Sequence, residues 1–251
     1  MYNIVITGAN EGIGYYFIEQ LLKDGNKIAV IDIETNNLEK LKIKYQNNLF
    51  FFKVDVRNEL DMKSSITKIV EDFHTIDIAI HNACLCTFDM EVDTNESTYR
   101  DIFEVNYFGA LRLAKGVLPY MRKQKSGKVI FTSSGVGVTG FIGISPYAST
   151  KGALESLAKC LNLEYAKDNI SFHIAHPPLT RTKSASPLPV PKEFMATPDK
   201  VGQGLAKHIM SKRFIICHNF GQKIQTIACY FFPIKMGKLL SKMTTRYVNK
   251  K

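Results

Sequence analysis

An α/β fold is what this sequence predicts: a single doubly wound parallel sheet of about seven strands, with helices on both faces. Three observations predict it. Seven apolar runs recur along the 251 residues. They read as near-continuous hydrophobic stretches, as parallel strands buried on both faces do. Segments of helical period separate them, and no repeat or low-complexity linker interrupts the alternation.

Taken in order, the first run, NIVIT, ends at Thr7 and Gly8, and the amphipathic GYYFIEQLLKDG follows. KIAVIDI ends near Asp32, and LFFFKVDV leads into Asp55 and Val56. LDMKSSITKIVEDF has helical period, IDIAIH ends at His81, and the long helical stretch YRDIFEVNYFGALRLAKGVLPYM contains Asn106. KVIFTS opens the frame SSGVGVTGFIGISPYASTK. ISFHIAH runs into PPLTRT, and RFIICH is the last strand. The least regular stretch, TRTKSASPLPVPKEFMATPD, holds Pro187, Pro189, Pro191 and Pro198 and reads as a Pro-stiffened surface loop.

Two motifs carry chemistry. Thr7, Gly8, Ala9, Asn10, Glu11, Gly12, Ile13 and Gly14 form a Gly-rich turn between a strand and a helix, the context a dinucleotide needs. Glycine allows close backbone approach to a pyrophosphate, and the helix N-terminus offers free N–H groups. Tyr147 and Lys151 stand four apart, on one face of a helix. An ammonium beside a phenol favours the phenolate and moves its pKa toward the useful range. Ser134, just upstream, can hold the oxygen of an alcohol or ketone within reach.

With these motifs in place, the chain resembles the short-chain dehydrogenase/reductase family over residues 1–217, with 218–251 as a basic apolar extension of the same Rossmann-type domain. The family's Asn-Asn-Ala-Gly motif appears as His81, Asn82, Ala83 and Cys84, and its Pro-Gly motif as Pro177 and Pro178, so both are altered. The resemblance implies catalytic roles for Asn106, Ser134, Tyr147 and Lys151, with Asn106 supporting a relay water. It implies a cofactor pocket of Gly8, Asn10, Glu11, Gly12, Ile13, Gly14, Asp32, Asp55, Val56, Asn82, Ala83, Tyr147, Lys151, Pro177, Thr180 and Thr182. It also implies a homodimer or homotetramer through the long helices.

Charge argues for NAD over NADP. Asp32 can accept from both ribose hydroxyls and would repel a 2′-phosphate, and Glu11 adds to the repulsion. The wall after Ser134, Gly135 to Ile144, is apolar and uncharged, which suits an apolar, lipid-like substrate. The expected function is NAD(H)-dependent alcohol–ketone interconversion. An NADPH-dependent ketoacyl-type reductase of lipid synthesis and a non-enzymatic NAD-binding sensor or scaffold stay open beside it.

The tail holds charge equal to the whole formal excess of +10. From Val201 on there is no acid, while Lys207, Lys212, Arg213, Lys223, Lys235, Lys238, Lys242, Arg246, Lys250 and Lys251 follow. The apolar run IQTIACYFFPI is about half of the ~20 residues that span a bilayer. Such a segment suits peripheral contact with an anionic membrane, closure over the cleft, or an oligomer contact. Nucleic acid is not favoured, as basic and aromatic residues do not interleave. Five cysteines without metal-like spacing suggest a reduced, cytoplasmic protein, and the start runs directly into a strand, which leaves no signal peptide. No metal is expected. His81 and His176 end strands on the cofactor side, where they would line the cleft.

Overall fold

A computed structural model describes residues 1–186, 188–190 and 192–248, with side chains described to Thr245. Pro187, Pro191, Lys250 and Lys251 lie outside these, as does the side chain of Arg246. Seven parallel strands form one sheet in the order β3-β2-β1-β4-β5-β6-β7. They are β1 (Asn3–Thr7), β2 (Lys27–Asp32), β3 (Leu49–Lys53), β4 (Ile78–His81), β5 (Gly127–Thr132), β6 (Ile170–Ala175) and β7 (Ile215–Ile216). The order reverses between β1 and β4, where Thr7 pairs with His81. Ligands of open α/β sheets bind at such a switch point, beyond the strands' carboxyl ends.

The helices follow from their apolar spacing. α1 (Gly12–Lys23) buries Phe17, Ile18, Leu21 and Leu22, a stripe at helical period. With α2 (Leu38–Lys44) and α8 (Pro198–Lys207) it covers one face of the sheet. α3 (Glu59–Phe73), α5 (Gly109–Gln124) and α7 (Ser145–Glu164) cover the other. α3 starts at Asn58, whose side chain accepts from the N–H groups of Leu60 and Asp61, a cap that satisfies two free donors.

Three features differ from the expectation. The run LFFFKVDV leaves the sheet after Lys53, and RFIICH gives only two strand residues; both are edge strands, paired on one side alone. The long helical stretch is not uniform: α4 (Glu96–Phe103) widens into a π turn over Glu104–Phe108 before α5 begins. The tail folds into two helices, α9 (Phe220–Phe231) and α10 (Pro233–Val248). Pro233 lacks an N–H and so ends one helix and begins the next. A short helix, α6 (Val136–Thr139), lies between β5 and α7.

Candidate active site

The carboxyl ends of the strands open onto a cavity of about 790 Å³. Its cofactor-side wall begins at the Gly-rich turn. Gly8 has φ +70°, and a Cβ there would lie 2.4 Å from the Ala83 backbone, so only glycine lets the turn after β1 meet the turn after β4. Asn82 fixes that junction: its Nδ2 donates to the Gly8 carbonyl at 2.6 Å, and its Oδ1 accepts from Thr132 at 3.3 Å. α1 has no side-chain cap and no acid in its first turn. Its N–H groups are therefore free for an anion.

Asp32 closes the same wall. Its Oδ2 accepts from the Asn10 N–H at 2.8 Å and its Oδ1 from the Glu34 N–H at 3.2 Å. Burial raises its pKa, and these backbone donors work against that rise. Asp55 also lines the cavity but is paired with Arg57 at 2.6 Å, a cation the sequence reading had passed over. The hydrogen bonds from Arg57 hold the Asp55 carboxyl below its usual range. An uncapped helix N-terminus, a glycine turn without side-chain bulk and an acid beside them fit a nicotinamide dinucleotide.

Ser134, Tyr147 and Lys151 come together on the adjoining wall. Lys151 is buried, and its Nζ donates to the Thr132 carbonyl at 2.8 Å. It stands 5.3 Å from the centroid of the Tyr147 ring. The expected lowering of the phenol pKa is not what this environment does. Burial, with Cys84 and Cys86 beside it, pushes Tyr147 well above its ordinary value, while the Ser134 hydroxyl pulls the other way. The reason is physical: burial disfavours the charged phenolate, and the two neighbouring cysteines add to the effect.

Most of the expected pocket borders the cavity: Gly8, Asn10, Glu11, Gly12, Ile13, Asp32, Asp55, Val56, Asn82, Ala83, Pro177, Thr180 and Thr182 do, with Tyr147 and Lys151. Two residues stand behind the wall instead. Gly14 is packed inward, where a Cβ would lie 2.3 Å from the Gly8 carbonyl oxygen. Asn106 is fully buried in the π turn. Its Oδ1 accepts from the Leu85 N–H at 2.8 Å, and its Nδ2 donates to the Leu85 carbonyl at 2.9 Å and to Thr150 Oγ1 at 3.0 Å. It clamps a wall residue rather than touching the cavity, and so is a positioning residue. His81 and His176 are likewise fully buried and do not line the cleft.

The sequence left closure over the cleft as one of three alternatives for the tail, and its reading missed one polar cluster. Gln222, Gln225 and Thr226 of α9 and Met236, Leu240 and Met243 of α10 line the cavity with Ser134. Behind the catalytic wall, Glu155 accepts from His176 Nε2 at 2.9 Å and Ser133 Oγ at 3.1 Å on one oxygen, and from the Tyr230 hydroxyl on the other. Burial alone would raise the Glu155 pKa; the three donors together leave it lowered. One signal was available: Glu155 follows Lys151 by four and so shares its helix face.

Comparison with known proteins agrees with this geometry. A family model described as short chain dehydrogenase matches residues 2–191. The chain is 29% identical over 177 residues to the 3-oxoacyl-[acyl-carrier-protein] reductase FabG of Buchnera aphidicola, covering 70% of this chain and 72% of that protein. It is 27% identical over 188 residues to the 3-ketodihydrosphingosine reductase of Bos taurus, covering 72% of this chain and 57% of that one. Among solved structures, a short-chain dehydrogenase from Streptomyces avermitilis superposes with a TM-score of 0.83 at 23% identity, over 98% of this chain and 97% of that one. With the strand order, the glycine turn and the Ser134, Tyr147 and Lys151 wall already placed, the chain belongs to the short-chain dehydrogenase/reductase family of nicotinamide-dependent oxidoreductases.

Proposed function

We propose that the protein interconverts a secondary alcohol and a ketone on an apolar, lipid-like substrate, with NAD(H) as cofactor. One observation carries the reading. Ser134, Tyr147 and Lys151 share a cavity that the apolar side chains of Met236, Leu240 and Met243 also line. The Gly-rich turn and the N-terminus of α1 would hold the pyrophosphate, Asp32 the adenosine ribose, and Lys151 the nicotinamide ribose. The bound cofactor supplies or accepts the hydride.

The chain's own residues handle the proton. Ser134 orients the reacting oxygen beside Tyr147. In reduction, Tyr147 donates its hydroxyl proton to the ketone oxygen, and in oxidation it takes the proton back. The buried Lys151 ammonium offsets the negative charge on the phenolate as that proton leaves. Asn106 fixes Leu85, which borders the site.

A second reading has its own support. The two relatives named above are both reductases of acyl-type ketones by name. An NADPH-dependent ketoacyl-type reductase therefore stands beside the first reading. Side-by-side calorimetric titration with NADH and NADPH separates them. Tighter NADH supports the Asp32 argument, and tighter NADPH overturns it. Turnover is then followed on long-chain hydroxy and keto compounds in both directions. No turnover of any of them with either cofactor would sink the lipid-substrate reading.

A further inference from the structure

The first helix of the tail, α9, buries polar side chains and exposes large apolar ones. Of the three buried residues of α9 two are polar: Gln222 is 7% exposed and Thr226 2%, beside Cys229 at 4%. The residues turned outward are large and apolar: Phe220 is 72% exposed, Ile224 54%, Ile227 46% and Phe231 75%. Their spacing of four, three and four sets them in one stripe along the helix. A helix that packs on a protein in water shows the opposite arrangement, and a row of this kind marks a binding surface. The stripe continues around the corner into Phe232 and Ile234, both exposed. The Phe231 and Phe232 rings lie 6.5 Å apart, and Lys235 Nζ sits 5.5 Å from the Phe232 ring.

The charge beside the stripe is of one sign. Lys223, Lys235, Lys238 and Lys242 belong to the same two helices, and these helices contain no Asp or Glu. None of the four makes an ion pair among the described residues. A second copy of the chain is a poor partner, since a two-fold contact would set this cationic patch against itself. No helix among the described residues is long and apolar enough to cross a membrane. A partner that is apolar within and anionic at its surface satisfies both the stripe and the lysines: an anionic lipid bilayer.

α10, which follows the stripe directly in the chain, also borders the cavity. Leu179, Phe194, Leu239 and Met243 each line the cavity and are exposed, so the rim is itself apolar, and two of them belong to α10. We propose that the outward stripe of α9 and the lysines of α9 and α10 dock the protein flat on an anionic bilayer, with the cavity mouth facing the lipid. Docking rests only on this surface. Delivery of substrate from the bilayer rests also on the apolar-substrate reading.

The test is co-sedimentation of the full-length protein with vesicles of phosphatidylcholine alone, or with about one third phosphatidylglycerol. Binding to the anionic vesicles that falls with salt is expected. Ile224→Glu with Ile227→Glu should abolish it. Replacing Lys235, Lys238 and Lys242 by Gln should weaken it by about 100-fold, since each cation near an anionic surface adds comparably. Far-UV circular dichroism and urea melts of both variants matching the wild type show that they are folded and leave the reaction assignment out of the reading. Absence of binding to anionic vesicles at low salt overturns the proposal. So does light scattering in which Ile224→Glu with Ile227→Glu splits an oligomer of the wild type, because the stripe would then be a contact between copies.

Discussion

At His81 a titratable ring is locked inside the sheet. Its Nδ1 lies 2.9 Å from Thr7 Oγ1, which also accepts from the N–H groups of Asn82 and Ala83. The Thr7 hydroxyl must therefore donate to Nδ1, and the ring proton sits on Nε2. That atom has no partner within hydrogen-bond geometry among the described residues. Burial, and then the Lys151 charge, lower the His81 pKa from 6.5 to about 3. The ring is neutral in the fold and protonates in the unfolded chain below 6.5, so the unfolded state binds the extra proton. Stability is thus full above that value and is lost as pH falls toward 3. His81→Asn, which restores the residue usual in the family motif, should lose about 2 kcal/mol less than wild type between about pH 7 and pH 5. Urea melts at the two pH values measure this, and parallel losses would refute it. Tyr147→Phe should keep cofactor affinity and lose about 10²–10⁴-fold in turnover; single-turnover assays check it. The Tyr147 and Lys151 pair was legible because helical spacing alone juxtaposes such groups. The partner of the Lys151 ammonium was not, since Thr132 reaches it only through the packing of β5 against α7.

Among the elements, α7 does the most positioning. Tyr147, Lys151 and Glu155 fall at successive spacings of four, so one helix face carries the phenol, the ammonium and the carboxylate of the polar cluster. α6 lies against this helix at Gly137, where a Cβ would lie 2.8 Å from the backbone of Lys151 and Gly152. Gly137→Ala should cost about 1–3 kcal/mol through overpacking. It should also lower turnover, because the same push separates Ser134 from Tyr147. A denaturant midpoint and a rate measured on one preparation test the pair, and a change in only one contradicts it. Tyr230 ties α9 to α7 through Glu155. Tyr230→Phe removes a donor from a buried carboxylate and should cost about 1.5–3 kcal/mol, read from the same melts. The helices themselves were legible, as was the break at Pro233, since periodicity and proline act locally. The π turn was not: the apolar spacing of Glu104–Phe108 continues that of its neighbours, and the widening depends on Asn106 reaching Leu85.

For the whole molecule, the cavity joins two parts of the chain with different origins. The sheet ends supply the polar wall, and the last two helices supply the roof. If substrate chains lie along Met236, Leu240 and Met243, affinity should rise by up to about fourfold per added methylene until the chamber is filled. Leu240→Asp should flatten that series while leaving NADH affinity intact. A chain-length series of KM values tests both, and an unchanged slope in the variant would argue against the roof. The composition of the tail was legible, and its place over the cavity stood only as one of three alternatives, since the choice depends on the contact of Tyr230 with Glu155, 75 residues earlier. The same contact orders events during synthesis. Ser133, Glu155 and His176 can assemble once β5, α7 and β6 have left the ribosome, whereas Tyr230 arrives only near the end of translation. The dinucleotide half can therefore collapse early around its two apolar layers, and the chamber comes into being last. A nascent chain stalled before α9 would present an unroofed cleft and a carboxylate lacking one of its donors, the surface a chaperone or protease would meet first.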